Sequence, residues 1–297
     1  TAFDPAKRYA GIRRVAAALK YARRGKRITG TVAAVILAAA TLIAAGSILK
    51  INSSAEFSNP LLEKAVRQEL GIPEKEAIPA KRLPEVRQII ICGNEVLGSW
   101  TEHDAIHYDM KNDSALRSGR GDISNLDELR QLPSLESLVL DYQDITDISP
   151  LEGMELQYLS LCGNEVEDLS ALEEMTTLCA LWLEDTPVSD GAVLSHLTSL
   201  RELEISGTNL AEASDFCSLP LEILKMKDTL IKDLAPLRQL RELTVLAAGE
   251  TDEQGMEIIQ GMKQLEYLTV SGTLEDLTGF AGMHRLVMLD LSLSRLL

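Results

Sequence analysis

Nine times along this chain an apolar residue is followed three and then five positions later by two more, the spacing L-x-x-L-x-L. The instances begin at Val86, Leu135, Leu156, Leu178, Leu200, Leu221, Leu240, Leu265 and Leu286. From Leu135 on, the steps are 21, 22, 22, 21, 19, 25 and 21 residues. One segment of this size has an apolar edge that it cannot bury by itself. Stacked segments bury their edges against one another, so the repeat predicts a solenoid of coils around one continuous core. The expected class is α/β, with a parallel sheet on the concave face. A long curved surface of this kind serves binding.

Charge divides the chain unevenly. The whole sequence has a formal net charge of −16, from 29 Lys and Arg against 45 Asp and Glu. Residues 1–27 hold nine of the basic side chains against Asp4 alone, or +8, which leaves 20 against 44, or −24, for the rest. So acidic a remainder repels phosphate backbones, which excludes nucleic acid as a partner.

The basic block ends where an uncharged run begins. Ile28 to Leu49 is 22 residues long, enough to span about 33 Å as a helix. A cleaved signal peptide has a shorter apolar region and no long basic leader. The run reads as a single transmembrane helix. The excess of Lys and Arg before it places the N-terminus in the cytoplasm and everything after Lys50 outside the cell membrane. Gly30, Ala34, Ala38 and Gly46 fall on one i, i+4 ridge, and small residues at that spacing fit a homodimer face.

The first 27 residues start with Asp4-Pro5, an N-cap followed by proline in the first turn. Ile12, Val15, Ala16 and Leu19 follow at helical spacing. Their apolar face has no counterpart in the chain, which opens at Thr1 without a Met, so a fragment is expected. The stretch resembles the C-terminal end of a bacterial Ser/Thr protein kinase domain, where D-P-x-x-R precedes the last helix; Asp4, Pro5 and Arg8 match. The resemblance covers about 20 residues and three motif positions. In that family the Arg pairs with a buried Glu that this chain lacks. The Gly-rich loop, the β3 Lys, H-R-D and D-F-G are missing too, so the chain itself is not expected to be an enzyme.

After a linker (residues 50–56), FSNPLLEKAVRQELG reads as a helix capped by Asn59, with Pro60 in its first turn and Gly71 at its end. Leu61, Leu62, Ala65, Val66 and Leu70 form its apolar stripe. An amphipathic helix just before the first coil covers that coil's open edge. Asp147 to Leu151, D-I-S-P-L, is matched by Asp168 to Leu172, Asp233 to Leu237 and Asp122 to Leu126. L-S-L-C-G-N ends at Asn164, and I-I-I-C-G-N at Asn94. These segments resemble internalin-like bacterial leucine-rich repeat proteins over residues 57–297. The resemblance implies a helical cap (57–82), repeats (83–297) and a buried Asn that bonds the turn backbone. Elsewhere that position is Gln143, Thr186, Thr208, Thr229, Ala248, Thr273 or Ser294.

Between Ile91 and Leu135 the period leaves room for an extra, irregular coil, with Ala105, Tyr108 and Met110 in strand positions. The last coil stops at Leu297 with no capping element, so the chain is read as truncated or left open there. Cys92 and Cys162 occupy equivalent sites in coils at least two apart. Two strand spacings exceed disulfide reach, and Cys179 and Cys217 sit in different parts of their coils. Four free thiols are expected.

Catalytic and metal signals are poor. His103-Asp104-Ala105-Ile106-His107 imitates the zinc-protease pattern H-E-x-x-H, and two His at i, i+4 share a helical face. Asp is one methylene short for the general base, however, no third ligand is evident, and the segment reads equally as a strand. No metal and no cofactor are expected. Arg120-Gly121-Asp122 spells an adhesion tripeptide, but Asp122 is assigned to the D-I-S-N-L turn.

Strand alternation turns Val139 and Asp141, Tyr158 and Ser160, Trp182 and Glu184, Glu202 and Glu204, Lys225 and Lys227, and Tyr267 and Thr269 away from the core. Tyr142, Tyr158 and Trp182 cluster beside Glu184 and Glu204, as exposed aromatics among charges do at interfaces. The expected concave binding site is Tyr142, Tyr158, Trp182, Glu184, Glu204 and Lys225, for a protein, peptide or envelope component. The sequence therefore reads as a membrane-anchored extracellular sensor, the outer half of a transmembrane receptor kinase. The alternative is a stand-alone anchored adhesion or interaction protein.

Overall fold

The structure, a computed structural model, describes residues 53–112, 119–274, 277–291 and 295–296. The basic segment 1–27, the span 28–49 with its Gly30, Ala34 and Ala38 ridge, and the start of the linker lie outside the described residues. Among the described residues no helix is long and apolar enough to cross a membrane.

The chain enters through a short antiparallel pair, β1 (Ser54–Ala55) and β2 (Ile78–Pro79), which brackets helix α1 (Pro60–Leu70). Asn59 caps α1 by accepting from the N–H groups of Leu61 and Leu62, and Gly71 ends it in a left-handed conformation at φ 61°. Leu62, Ala65, Val66 and Leu70 are buried and join Phe57, Ile78 and Leu83 at one end of the core.

Strand β3 (Gln88–Cys92) follows, with β4 (Glu95–Val96) folded back antiparallel beside it, then helix α2 (Trp100–Asn112). Strand β5 (Ser137–Asp141) pairs directly with β3 in parallel. The expected extra coil between Ile91 and Leu135 is therefore absent. Ala105, Tyr108 and Met110 lie within a helix, not a strand.

From β5 the sheet grows one parallel strand per coil: β6 (Tyr158–Ser160), β7 (Ala180–Trp182), β8 (Glu202–Glu204), β9 (Ile223–Met226), β10 (Val245–Thr251), β11 (Tyr267–Leu274) and β12 (Met288–Asp290), with β13 (Arg295–Leu296) beside the end of β11. The convex side is built of 3-10 turns such as Ser149–Leu151 and Ser170–Leu172, except where helix α3 (Glu253–Gly261) replaces one after β10. The inward residues of coils starting at Leu156, Leu178 and Leu200 are all fully buried.

Three details of the repeat differ from the pattern read in sequence. Val245 is in register with Ile223 and Tyr267, so it faces outward. The buried triplet of that coil is Leu243, Leu246 and Ala248, not the triplet starting at Leu240. With the coil starting at Leu243, steps of 19 and 25 residues become 22 and 22, and the stack is regular.

Second, the Asx turn of the first coil belongs to Asn125, whose Oδ1 accepts from Asp127 N at 2.7 Å. Asp147, Asp168 and Asp233 do the same for Ser149, Ser170 and Ala235, and those backbone donors hold the Asp147 and Asp168 carboxyls below their ordinary range. Asp122 instead accepts from Asn59 Nδ2 at 3.0 Å, tying the cap helix to the coils.

Third, Asn164 is buried and donates to Leu140 O and Leu161 O while accepting from Ile145 N, but Asn94 is exposed. Gln143 stands in for Asn94, donating to Gly93 O at 2.7 Å and to Asp141 O. Thr186 and Thr208 each satisfy a single carbonyl.

Candidate functional site

The concave face is not open along its length, because α2 lies across its first half. The chain leaves β3 through Gly93, at φ 56°, and Leu97 N–H donates to Ile90 O at 2.9 Å, turning the segment over the sheet. Ser99 Oγ accepts from Glu102 N, and Glu102 Oε2 accepts from Gly98 N. Those reciprocal bonds start the helix. Trp100, His103, Ile106 and His107 then share one helical face.

That face rests on a second, small core. Ile90, Cys92, Leu97, Val139 and Tyr142 are buried together, with Trp100 and Ile106 packed against them. The Trp100 ring lies 5.3 Å from Trp182 and 6.2 Å from Tyr158, and His107 lies 5.4 Å from Tyr142. Tyr142 reaches this place from a left-handed backbone, φ 53°, a position taken by Gly93, Gly163 and Gly207 in other coils. A bulky residue held there is strained. Gly163 makes room for it, since a Cβ there would stand 2.4 Å from the Tyr142 ring.

Asp141 is the polar centre. Its carboxylate is fully buried and meets four donors. Oδ1 accepts from Ser160 Oγ at 2.5 Å and Cys162 N at 3.0 Å. Oδ2 faces His103 Nε2 at 2.7 Å and His107 Nδ1 at 3.0 Å. His107 Nε2 in turn faces Glu184 Oε2 at 3.0 Å. Burial opposes the charge on His107, but its bonds to Asp141 and Glu184 outweigh that and raise its pKa to about 9. Burial likewise pushes Asp141 up, and the two histidines overcome it, bringing it down to about 2. Burial, with the Asp141 charge, pushes the Cys92 thiol well above its usual range. The raised pKa of His107 favours its charged ring and that of Cys92 its thiol, so these two side chains offer neither a ready base nor a thiolate. It is a clamp between α2 and the sheet.

The same groups correct the reading that found no third metal ligand. His103 and His107 are on a helix, and Cys92, His103, His107 and Asp141 each hold one donor atom within 4.8 Å of the others. The signal that would have located this helix is Ser99-Trp100-Thr101-Glu102, a capping box ahead of the histidine spacing.

Of the six expected site residues, three are not surface groups. Tyr142, Glu184 and Glu204 are buried, as are Val139, Asp141 and Ser160; α2 and its hairpin meet Val139, Asp141, Tyr142 and Glu184 on the face that strand alternation turns outward. Burial raises Glu204 above the ordinary carboxylate range, against the opposing pull of Lys225, whose Nζ is 3.5 Å away. Trp182 is half-buried, donating from Nε1 to Glu202 Oε1 at 2.8 Å. Trp182 and Glu204 share one cross-strand row with Lys225, whereas Tyr158 belongs to the neighbouring row with Ala180. Tyr158 stays exposed. All four cysteines are unpaired; Cys92 pairs in register with Asp141, and Cys162, just past β6, donates its N–H to the Asp141 carboxylate.

Among the described residues, no element lies across the face beyond β8. The row Glu202, Ile223, Val245, Tyr267, Met288 runs across five coils. Ile223 and Val245 are half-buried, and Tyr267 and Met288 are 42% and 49% exposed.

No protein-family model matches the sequence, and no curated protein does. Solved structures do share the fold. An internalin (inlF) from Listeria monocytogenes superposes with a TM-score of 0.62 at 23% identity, over 83% of this chain and 65% of its own length. An internalin C2 from the same organism gives 0.64 at 20% identity, over 80% of this chain and 94% of its own. The chain thus spans less than two thirds of the first of these. At such identities the likeness establishes an internalin-like leucine-rich repeat solenoid with a parallel concave sheet.

Proposed function

We propose that this chain is the extracellular protein-binding part of a membrane-anchored receptor. The observation that carries it is the open second half of the concave sheet, where Ile223, Val245, Tyr267 and Met288 form an apolar row beside Glu202 and Lys225. Apolar and aromatic side chains within a polar rim are what a protein partner anchors on. The chain binds and does not catalyse. Its ligand surface lies over β8 to β12, away from the Trp100 and Trp182 contact.

For a protein partner recovered by cross-linking on intact cells, Tyr267→Ala should weaken binding by about 2 kcal/mol, roughly thirtyfold. The thermal midpoint should hardly change, because Tyr267 is well exposed. Unaltered affinity would remove the open half of the face from the site.

The charge asymmetry and the uncharged run support an outside location for everything after Lys50. A cysteine introduced at Ser54 should react with an impermeant maleimide on intact cells. The unsubstituted chain is the control, since Cys179 alone of its thiols is not buried. Labelling only after lysis would overturn the orientation.

The D-P-x-x-R stretch supports the further reading that a Ser/Thr kinase domain precedes the span, the repeats being its sensor. An anchored adhesion protein is the alternative. Sequencing the gene upstream of Thr1 separates them: kinase motifs there sustain the sensor reading, and a start codon directly before Thr1 removes it.

A further inference from the structure

We propose that Cys92, His103, His107 and Asp141 form a zinc site that pins α2 to the concave sheet. The inference stands apart from the protein-binding reading, since it concerns the covered half of the face. The four residues come from three elements: Cys92 ends β3, Asp141 ends β5, and the two histidines lie one turn apart on α2. One donor atom from each is within 4.8 Å of the other three. In tetrahedral zinc sites, bonds of about 2.0–2.3 Å put neighbouring donors about 3.3–3.8 Å apart. The two ring nitrogens now stand 2.7 and 3.0 Å from Asp141 Oδ2, a few tenths of an ångström inside that separation, so the rings must spread slightly to admit the ion.

The outer contacts carry the argument further. A histidine that binds a metal characteristically gives its other ring nitrogen to a carboxylate, which fixes the ring and its tautomer. His107 does so: with Nδ1 turned inward, Nε2 meets Glu184 Oε2 at 3.0 Å. His103 repeats the arrangement more loosely, with Nε2 inward and Nδ1 3.4 Å from Asp104 Oδ1. Asp141 Oδ1 is held by Ser160 and Cys162 N, leaving Oδ2 for the ion. One sulfur, two imidazole nitrogens and one carboxylate oxygen suit Zn²⁺ better than Ca²⁺ or Mg²⁺, which prefer all-oxygen shells. Four protein ligands fill the tetrahedron, so the ion is structural, with no open position for substrate. On binding, the ring protons facing Asp141 and the Cys92 thiol proton leave to solvent, and Zn²⁺ takes their place.

The test uses the full 297-residue chain in detergent, stripped by a chelator and titrated with Zn²⁺ and separately with Co²⁺. One zinc per chain should bind with a dissociation constant below about 1 μM. Bound Co²⁺ should show the intense visible bands of tetrahedral coordination and a thiolate charge-transfer band in the near ultraviolet. Cys92→Ser should abolish the charge-transfer band. Glu184→Gln, which touches only the outer shell, should weaken zinc about 10–100-fold and keep the band. Absence of stoichiometric zinc in the folded wild-type chain would overturn the proposal. So would cobalt spectra without the thiolate band, or zinc affinity unchanged in both His107→Gln and Cys92→Ser. The wild-type spectrum decides even where a variant fails to fold.

Discussion

Replacing Leu181 by alanine is expected to cost the solenoid about 2–5 kcal/mol. Leu181 is fully buried on β7. It stacks between Leu159 and Leu203, its register partners on β6 and β8. The backbone bonds of three adjacent parallel strands hold those neighbours in place, so the coils cannot close over the missing side chain and a cavity remains. Leu289 occupies the corresponding position on β12 but is only half-buried, so Leu289→Ala should lose much less. Urea unfolding of both variants, followed by circular dichroism, measures the difference. An unchanged midpoint for Leu181→Ala would mean that the stack is built in another register.

Asp141→Ala in metal-free protein should cost a similar amount, about 3–5 kcal/mol, the usual penalty for removing one partner of a buried ion pair. Its carboxylate answers two histidine rings, the Ser160 hydroxyl and the Cys162 N–H in a fully buried place. Without it, among the described residues, His107 keeps Glu184, Cys162 N loses its acceptor, and Ser160 Oγ is left with the Cys162 sulfur at 3.4 Å. The loss should be local. The small core under α2 is separate from the main core of the coils, so the helix should detach while the solenoid stays folded. The chain has two tryptophans, and Trp100 and Trp182 face each other across this contact. Their fluorescence should shift to the red in Asp141→Ala, with far-ultraviolet dichroism largely retained. Emission and stability equal to wild type would show that the carboxylate does not hold the helix.

Asp141 also shows where reading along the chain stops. Strand alternation assigns it to the face away from the core, and it does point there, as does Val139. What alternation does not reveal is whether something lies on that face. The covering element begins only a few residues after β3 yet meets Tyr158, Trp182 and Glu184 from coils further on. Its buried face carries histidines where apolar residues mark most helices, and so it escaped a pattern read on hydrophobicity.

The solenoid, its cap helix and the Asx turns are local facts. Each needs an apolar spacing, a capping residue or a side chain bonding its own turn, and each is written within about 20–29 residues. The register of the coil at Leu243 is not local in this way. Leu240, Leu243 and Val245 also satisfy the spacing, and only pairing with Ile223 and Tyr267 on both sides selects Leu243, Leu246 and Ala248. The same holds for the covered site. His103 and His107 announce a shared face from their spacing alone. Their partners Cys92, Asp141 and Glu184 are brought to them by the stacking of coils distant in sequence, and no linear pattern records contacts made by stacking.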